Sequence, residues 1–336
     1  MVYGVEGNNM NRVECMVRAV RNHPGVTRKN SIHDVVDKLP TDAFPQVYAA
    51  EGEDAAALDV GDQYVLFATD GIMQSLVKVN PFLAGYFAVL VNVNDIAAMG
   101  GRPLGMVDVM SMDGSGSGSE ILRGMQEGIR KFNVPIVGGH THPDCTYNAV
   151  DIAITGVVPK DAVLLSSTAQ PGDDIVFVID VDGYYPEELP MAFVTTVDKS
   201  DDVVRDQMEA VAIVAEEHLA HACKDMSNPG HVGTLGMMLE SSGMGGIVDI
   251  TKIPIPEGVD EIKWALSYQG CAFVFSCPHE NSDRIIEIFS EVGCKGAIVG
   301  SIDDTRILKL TDGESTEVLF DFNKDIITGC GRCHHK

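Results

Sequence analysis

Four short stretches place acidic or polar residues at the ends of apolar segments. They are "GEDAA" (52–56), "ATDG" (68–71), "VNVNDIAAMG" (91–100) and "GGHT" (138–141). The chemistry-bearing candidates in them are Glu53, Asp54, Asp70, Asn92, Asp95, Gly138, Gly139, His140 and Thr141. Asp95 carries the most weight, because an unpaired carboxylate inside an apolar helix is costly and something polar must meet it. Carboxylates that converge repel one another unless a divalent cation lies between them. Oxygen donors without cysteine favour Mg²⁺, which shares its shell with phosphate oxygens and waters. Consecutive glycines let backbone N–H groups approach a phosphate closely. The pattern therefore predicts a Mg²⁺-phosphate or Mg²⁺-nucleotide site assembled from distant parts of the chain.

Two other stretches have rival readings. In "PIVGGHTHPDC" (135–145), His140, His142, Asp144 and Cys145 have zinc-ligand chemistry, but their spacing is compressed and a second ligand pair is missing. The stretch also reads as a phosphate turn or a polar loop. In the tail "GCGRCHHK" (329–336), Cys330, Cys333, His334 and His335 suit metal ligation, an exposed thiolate beside Arg332 that carries a group, or an inert end. Its "CGRCH" string also matches a c-type haem attachment, but proteins with that attachment are exported and no signal is read in this chain, so haem is not expected.

The elements that must position these residues follow from pattern. "NRVECMVRAVRNH" has helical spacing and is ended by Pro24 and Gly25. A strand runs from Gln63 to Asp70. A helix begins at Pro81 and closes at Gly100-Gly101, with Asn92 and Asp95 three apart on one face. "DGSGSGSE" (113–120) reads as a flexible linker into the helix "EILRGMQEGIRKF", and it lacks the Gly-Lys-Ser/Thr ending of a Walker loop. "VPIVGGHT" reads as strand and turn, and "NAVDIAITGVV" as a strand. "TAQPGDDIVFVID" opens a second half with a long helix, roughly Asp202 to Lys224, then strand, helix, strand and a hairpin at Asp312-Gly313. That order predicts an α+β fold with a mixed or antiparallel sheet. The domains are expected at 1–160 and 161–325, followed by a tail at 326–336.

Lys plus Arg number 24 against 49 Asp plus Glu, a formal net charge of −25. Such a surface repels phosphate backbones and anionic lipid, so nucleic acid and membrane are excluded as partners. An anionic small substrate is not, since bound Mg²⁺ reverses the local field. No basic-then-apolar leader opens the chain, and no apolar stretch approaches the roughly 20 residues that span a bilayer. Eight scattered cysteines in apolar contexts suggest buried thiols in a reducing compartment, hence a cytoplasmic protein.

"GEDAA", "ATDG", "VNVNDIAAMGGRP", "GGHT", "TAQPGD" and "DMSNPG" stand in the order, and at about the spacing, found in the aminoimidazole ribonucleotide (AIR) synthetase superfamily. The chain resembles this family over about residues 48 to 310. The family includes thiamine-monophosphate kinase, selenophosphate synthetase, formylglycinamide ribonucleotide amidotransferase and the hydrogenase-maturation dehydratase. "HPGVTRKNSIHDVV" also resembles the methanogenesis marker protein 2 branch. The resemblance implies a two-domain AIR synthetase-like fold and a homodimer whose N-terminal strands form a β-barrel, with a C-terminal α/β domain. ATP would lie in the cleft, with Mg²⁺ held by Asp54, Asp70 and Asp95 and by Glu53, beside Asn92. Gly138, Gly139, His140 and Thr141 would form the phosphate turn, with Asp225 and Ser227 approaching nucleotide or acceptor.

Two departures stand out. His140 replaces the aspartate of many family kinases, though selenophosphate synthetases carry "GGHT". "VLLSSTAQPGD" lacks the arginine that often precedes "PGD" and meets phosphate. The implied activity is ATP-dependent phosphoryl transfer to a small-molecule or protein-bound acceptor. The alternatives are a non-catalytic nucleotide-binding protein, or one that serves a metalloenzyme-maturation partner through its tail thiols.

Overall fold

The computed structural model describes residues 10–39, 41, 44–268 and 270–331. Cys333, His334 and His335 lie outside them, as does the polar opening stretch 1–9. Helix α1 (Arg12–Arg21) starts at a reciprocal cap: Asn11 Oδ1 accepts from the Glu14 N–H, and Glu14 Oε2 accepts from the Asn11 N–H, both at 2.8 Å. Two short helices follow, α2 (Pro24–Thr27) and α3 (Ile32–Val36).

The first domain is built on a six-stranded sheet of β1 (Val47–Ala49), β2 (Ala56–Asp59), β3 (Gln63–Gly71), β4 (Arg102–Ser111), β5 (Ile136–His142) and β6 (Ala149–Pro159). Their order across the sheet is β1-β2-β3-β6-β4-β5. Three helices belong to it: α4 (Gln74–Val79), α5 (Pro81–Ala98) and α6 (Ser117–Phe132). Helices α5 and α6 share a core with the sheet, and the alternate residues Tyr64, Leu66, Met106, Met110, Ile152 and Ile154 point into it. Two glycines set how close these helices come. A Cβ on Gly85 would overlap the Ile121 carbonyl oxygen, and one on Gly124 the Phe82 carbonyl oxygen. Among the described helices only α5 is long and apolar enough to cross a bilayer, and most of it is buried inside the protein.

The second domain contains β7 (Asp174–Ile179), α7 (Asp201–Glu216), β8 (Ala222–Asp225), α8 (Gly230–Ser242), β9 (Gly245–Asp249) and α9 (Glu261–Ala265). It continues with β10 (Ala272–Cys277), α10 (His279–Glu291), β11 (Lys295–Asp303), β12 (Ile307–Thr311) and β13 (Thr316–Asp321). Its sheet, ordered β13-β12-β9-β11-β7-β10-β8, is antiparallel except where β12 runs parallel to β9. Both faces are covered, which is why β7 reads as a continuous apolar run. Val176 and Val178 join the α5 core, while Ile175, Phe177 and Ile179 join a second core with α1 and α8. The chain is thus a two-domain α+β protein.

Three local expectations change. The helix read as ending near Lys224 stops at Glu216. His218 turns left-handed (φ 54°), the Leu219 N–H closes back on the Val214 carbonyl at 3.1 Å, and residues 222–225 instead pair with β10. "GGHT" is not a turn but part of strand β5, because Gly138 to Thr141 pair in parallel with Val107 to Met110. The Gly/Ser linker is fastened: Asp113 and Asn148 exchange two hydrogen bonds of 2.9–3.0 Å, and α6 already begins at Ser117.

Candidate functional site

A cavity of about 590 Å³ is lined from both domains. The first contributes Glu53 and Asp54 from the loop before β2, Asp70 from the end of β3, and Asn94 and Asp95 from α5. The second contributes Lys224 and Asp225 from β8 and Ser227 just beyond it. Carboxylate oxygens of Asp54, Asp95 and Asp225 lie within 4.8 Å of one another. The Lys224 ammonium donates to Asp54 Oδ1, with both side chains over nine-tenths buried, while the other oxygen of Asp54 is buried with no partner.

The electrostatics follow from this crowding. Burial pushes the Asp95 carboxyl well above the usual carboxylate range, and the neighbouring charges of Asp225, Asp70 and Asp54 push it further. Asp225 rises for the same reasons, burial first and Asp54 second. Burial works against the Lys224 ammonium, yet Asp54 and Asp225 outweigh it and hold its pKa above the ordinary lysine value. When ionised, these three carboxylates outnumber the one ammonium beside them. A hard divalent cation fits this set of oxygen donors and would satisfy the orphaned Asp54 oxygen. Among the described residues these three aspartates are the one such cluster, so His140, His142, Asp144 and Cys145 form no zinc site there.

Other expected site residues are placed differently. Glu53 lines the cavity but stands outside the trio; its Oε2 accepts from the Ser166 N–H across the domain boundary, and burial raises its pKa. Asp70 lines the cavity, also outside the trio, with its carboxyl raised by the protein mass around it. Asn92 does not line it. The face of α5 that does so carries Phe87, Val91, Asn94 and Asp95, and Asn92 instead donates to the Ala88 carbonyl at 2.8 Å. Gly138, Gly139, His140 and Thr141 lie exposed on edge strand β5, away from this chain's cavity. Asp225 joins the carboxylate trio, and Ser227 lines the cavity.

Several residues escaped the sequence reading. Lys224 was assigned to a helix end; only its place in "CKDMSNPG", beside a motif aspartate, hinted otherwise. Asn94 donates to the Gly270 carbonyl at 3.1 Å and leaves its own oxygen buried and unpaired. Arg28 and Lys29, in the 3-10 turn that follows α2, also line the cavity. So does Cys330, which is neither exposed nor poised as a thiolate: it is 6% exposed, and burial raises its pKa. Glu240 fixes the segment that carries it, accepting from the N–H groups of Ile327 and Thr328 at 2.8 Å and from the Thr328 hydroxyl at 2.6 Å. Gly52, at φ 86°, packs against Cys330, and a Cβ there would come within 2.9 Å of it.

Residues 52–158 match the N-terminal domain of AIR synthase related protein, and residues 191–313 match its C-terminal domain. The chain belongs to the AIR synthase-related family. An uncharacterized protein of Methanocaldococcus jannaschii is 44% identical over 94% of this AIR synthase-related chain and 98% of its own length. The selenide, water dikinase of Pelobacter propionicus is 26% identical over 68% of the chain and 66% of its own. In structure, Thermotoga maritima PurL complexed with ATP superposes with a TM-score of 0.74 at 18% identity, covering 96% of this chain and 54% of PurL. The last likeness is one of fold, with this chain spanning about half of PurL.

Proposed function

We propose that the protein binds ATP with Mg²⁺ in the cavity between its domains and transfers a phosphoryl group to a small acceptor. The observation that carries this reading is the convergence of Asp54, Asp95 and Asp225, from three separate elements and both domains, within one cavity. That Thermotoga maritima PurL, which shares this fold, is found complexed with ATP supports it. Mg²⁺ held by these carboxylates would neutralise the charge on the phosphate oxygens, which with positioning is most of what phosphoryl transfer requires. The chain's own part is to hold Asp54 in place through Lys224 and to offer the unpaired Asn94 oxygen as an acceptor.

The exposed face of the first sheet supports a homodimer. Phe67, Val107 and Val109 are 49%, 44% and 42% exposed there, an apolar patch beside the "GGHT" edge strand. Pairing of that face across a two-fold axis would form the barrel and bring "GGHT" to the site of a second copy.

Calorimetry with Mg²⁺ and a non-hydrolysable ATP analogue tests the reading. The wild-type chain should bind the analogue and Asp95→Asn should abolish binding; equal binding by the variant refutes the site. Cys330 at the cavity wall supports a second reading, in which the tail serves metalloenzyme maturation. Deleting residues 329–336 would then abolish function while nucleotide binding persists, and a fully active truncation removes that option.

A further inference from the structure

The N-terminal segment precedes both family matches, yet the structure builds it into the cavity. It is clamped to the second domain at three points. Arg12 pairs with Glu261, and Arg21 forks onto Asp325 at 2.8 and 3.0 Å while also donating to the Leu319 carbonyl at 2.6 Å. Gly25 presses against Asn228, where a Cβ would overlap the Asn228 carbonyl oxygen. The segment so held presents Arg28, exposed, and Lys29, partly buried, to the cavity that contains the aspartate trio.

These two cations have no direct ion-pair partner, unlike several arginines elsewhere in the fold. Arg12, Arg21, Arg102, Arg130 and Arg284 each pair with a carboxylate. Among the described residues neither Arg28 nor Lys29 makes an ion pair, although acids outnumber bases 49 to 24. Arg28 meets the Met73 sulfur at 3.2 Å, Tyr268 lies close by, and the charges of Arg28 and Lys29 both act on Asp70 in the same cavity without a direct ion pair. Lys224, the third cation of the cavity, is already engaged by Asp54. Adjacent unpaired cations in a concave site, one of them a planar fork, match a phosphate or carboxylate.

The trio that would meet the triphosphate falls within the segments matched by the family, whereas Arg28 and Lys29 fall outside them. We propose that Arg28 and Lys29 hold an anionic group of the acceptor, a phosphate or a carboxylate, beside the transferred phosphoryl. This assignment rests on the ATP reading above.

The test uses the full chain saturated with Mg²⁺ and the non-hydrolysable ATP analogue, titrated calorimetrically with inorganic phosphate in one arm and malonate in the other. The wild type should bind one anion, and the arm that responds names its chemistry. Arg28→Gln/Lys29→Gln should weaken that binding by about tenfold or more, with affinity for the analogue within about threefold of wild type. Should the double variant melt early, Arg28→Gln alone, at an exposed position, carries the comparison. Anion binding unchanged in the variant, or absent from the wild type while the analogue binds, overturns this assignment alone. A variant that instead loses the analogue shows that the cations serve the nucleotide, which also overturns it. Failure of the wild type to bind the analogue at all removes the ATP reading and the acceptor site with it.

Discussion

Lys224 on β8 donates to Asp54 on the loop before β2, so one buried ion pair joins the two domains at the floor of the cavity. Removing one partner of such a pair leaves an uncompensated buried charge, at a cost of about 3–5 kcal/mol. Lys224→Met should therefore lower stability by about 3 kcal/mol in EDTA. Added Mg²⁺ should restore part of that loss, since a divalent cation among the trio replaces the missing positive charge. Denaturant melts with and without Mg²⁺ measure this; an equal loss in both would deny the trio its cation.

The apolar face of the first sheet predicts an oligomer. Val107→Glu/Val109→Glu places like charges where a second copy would pack, and these half-exposed positions should tolerate it without unfolding. Sedimentation should show a wild-type dimer and a monomeric variant. A wild type that is already monomeric at micromolar concentration would contradict the barrel.

Glu240 is the buried anchor of residues 327–330. Glu240→Ala strands several buried donors and should cost on the order of 2–4 kcal/mol. It should also free Cys330, whose reaction with an aromatic disulfide reagent should quicken by about tenfold or more, whereas Glu240→Gln should keep most of the protection. Unchanged reactivity at Cys330 would mean that the segment is held by something other than this carboxylate.

His231 sits buried against Trp264, ring centroids 4.7 Å apart, with Nδ1 unpartnered, and burial lowers its pKa to about 3. Above about pH 6.5 the imidazole is neutral folded and unfolded, and makes no pH-dependent difference. Below that, the unfolded chain takes up a proton that the folded one refuses, so stability falls by about 1.4 kcal/mol per pH unit until the folded pKa is reached. His231→Phe should flatten the stability profile between pH 6.5 and 4, as read from urea midpoints. An unaltered acid limb would place the titration elsewhere.

Much of the scaffold was legible because its signals are local. Pro81 begins α5, the run ending at Asp70 is β3, and the Asp312-Gly313 turn joins β12 to β13. The apolar periods mark these elements whatever surrounds them. Asp54, Asp70 and Asp95 do line one cavity, but their division into trio member and cavity wall was not legible, nor was the choice of Asn94 over Asn92. Neighbouring positions on a helix differ by about 100° of rotation, and tertiary packing decides which of them meets the cavity. "GGHT" misled because two glycines suggest a turn, while pairing with β4 makes them strand.

What the amino-acid sequence determined alone was the set of elements and the ordered motifs, since periodicity, capping residues and turn chemistry act within a few residues of one another. Which charges meet was decided only by the tertiary structure. Pairing of β8 with β10 draws Lys224 and Asp225 out of an apparent helix, packing of the second sheet on α5 brings them to Asp95 and Asp54, and docking of the N-terminal segment adds Arg28 and Lys29. Electrostatic contact depends on distance in space, and no spacing along the chain encodes a distance that long-range packing creates.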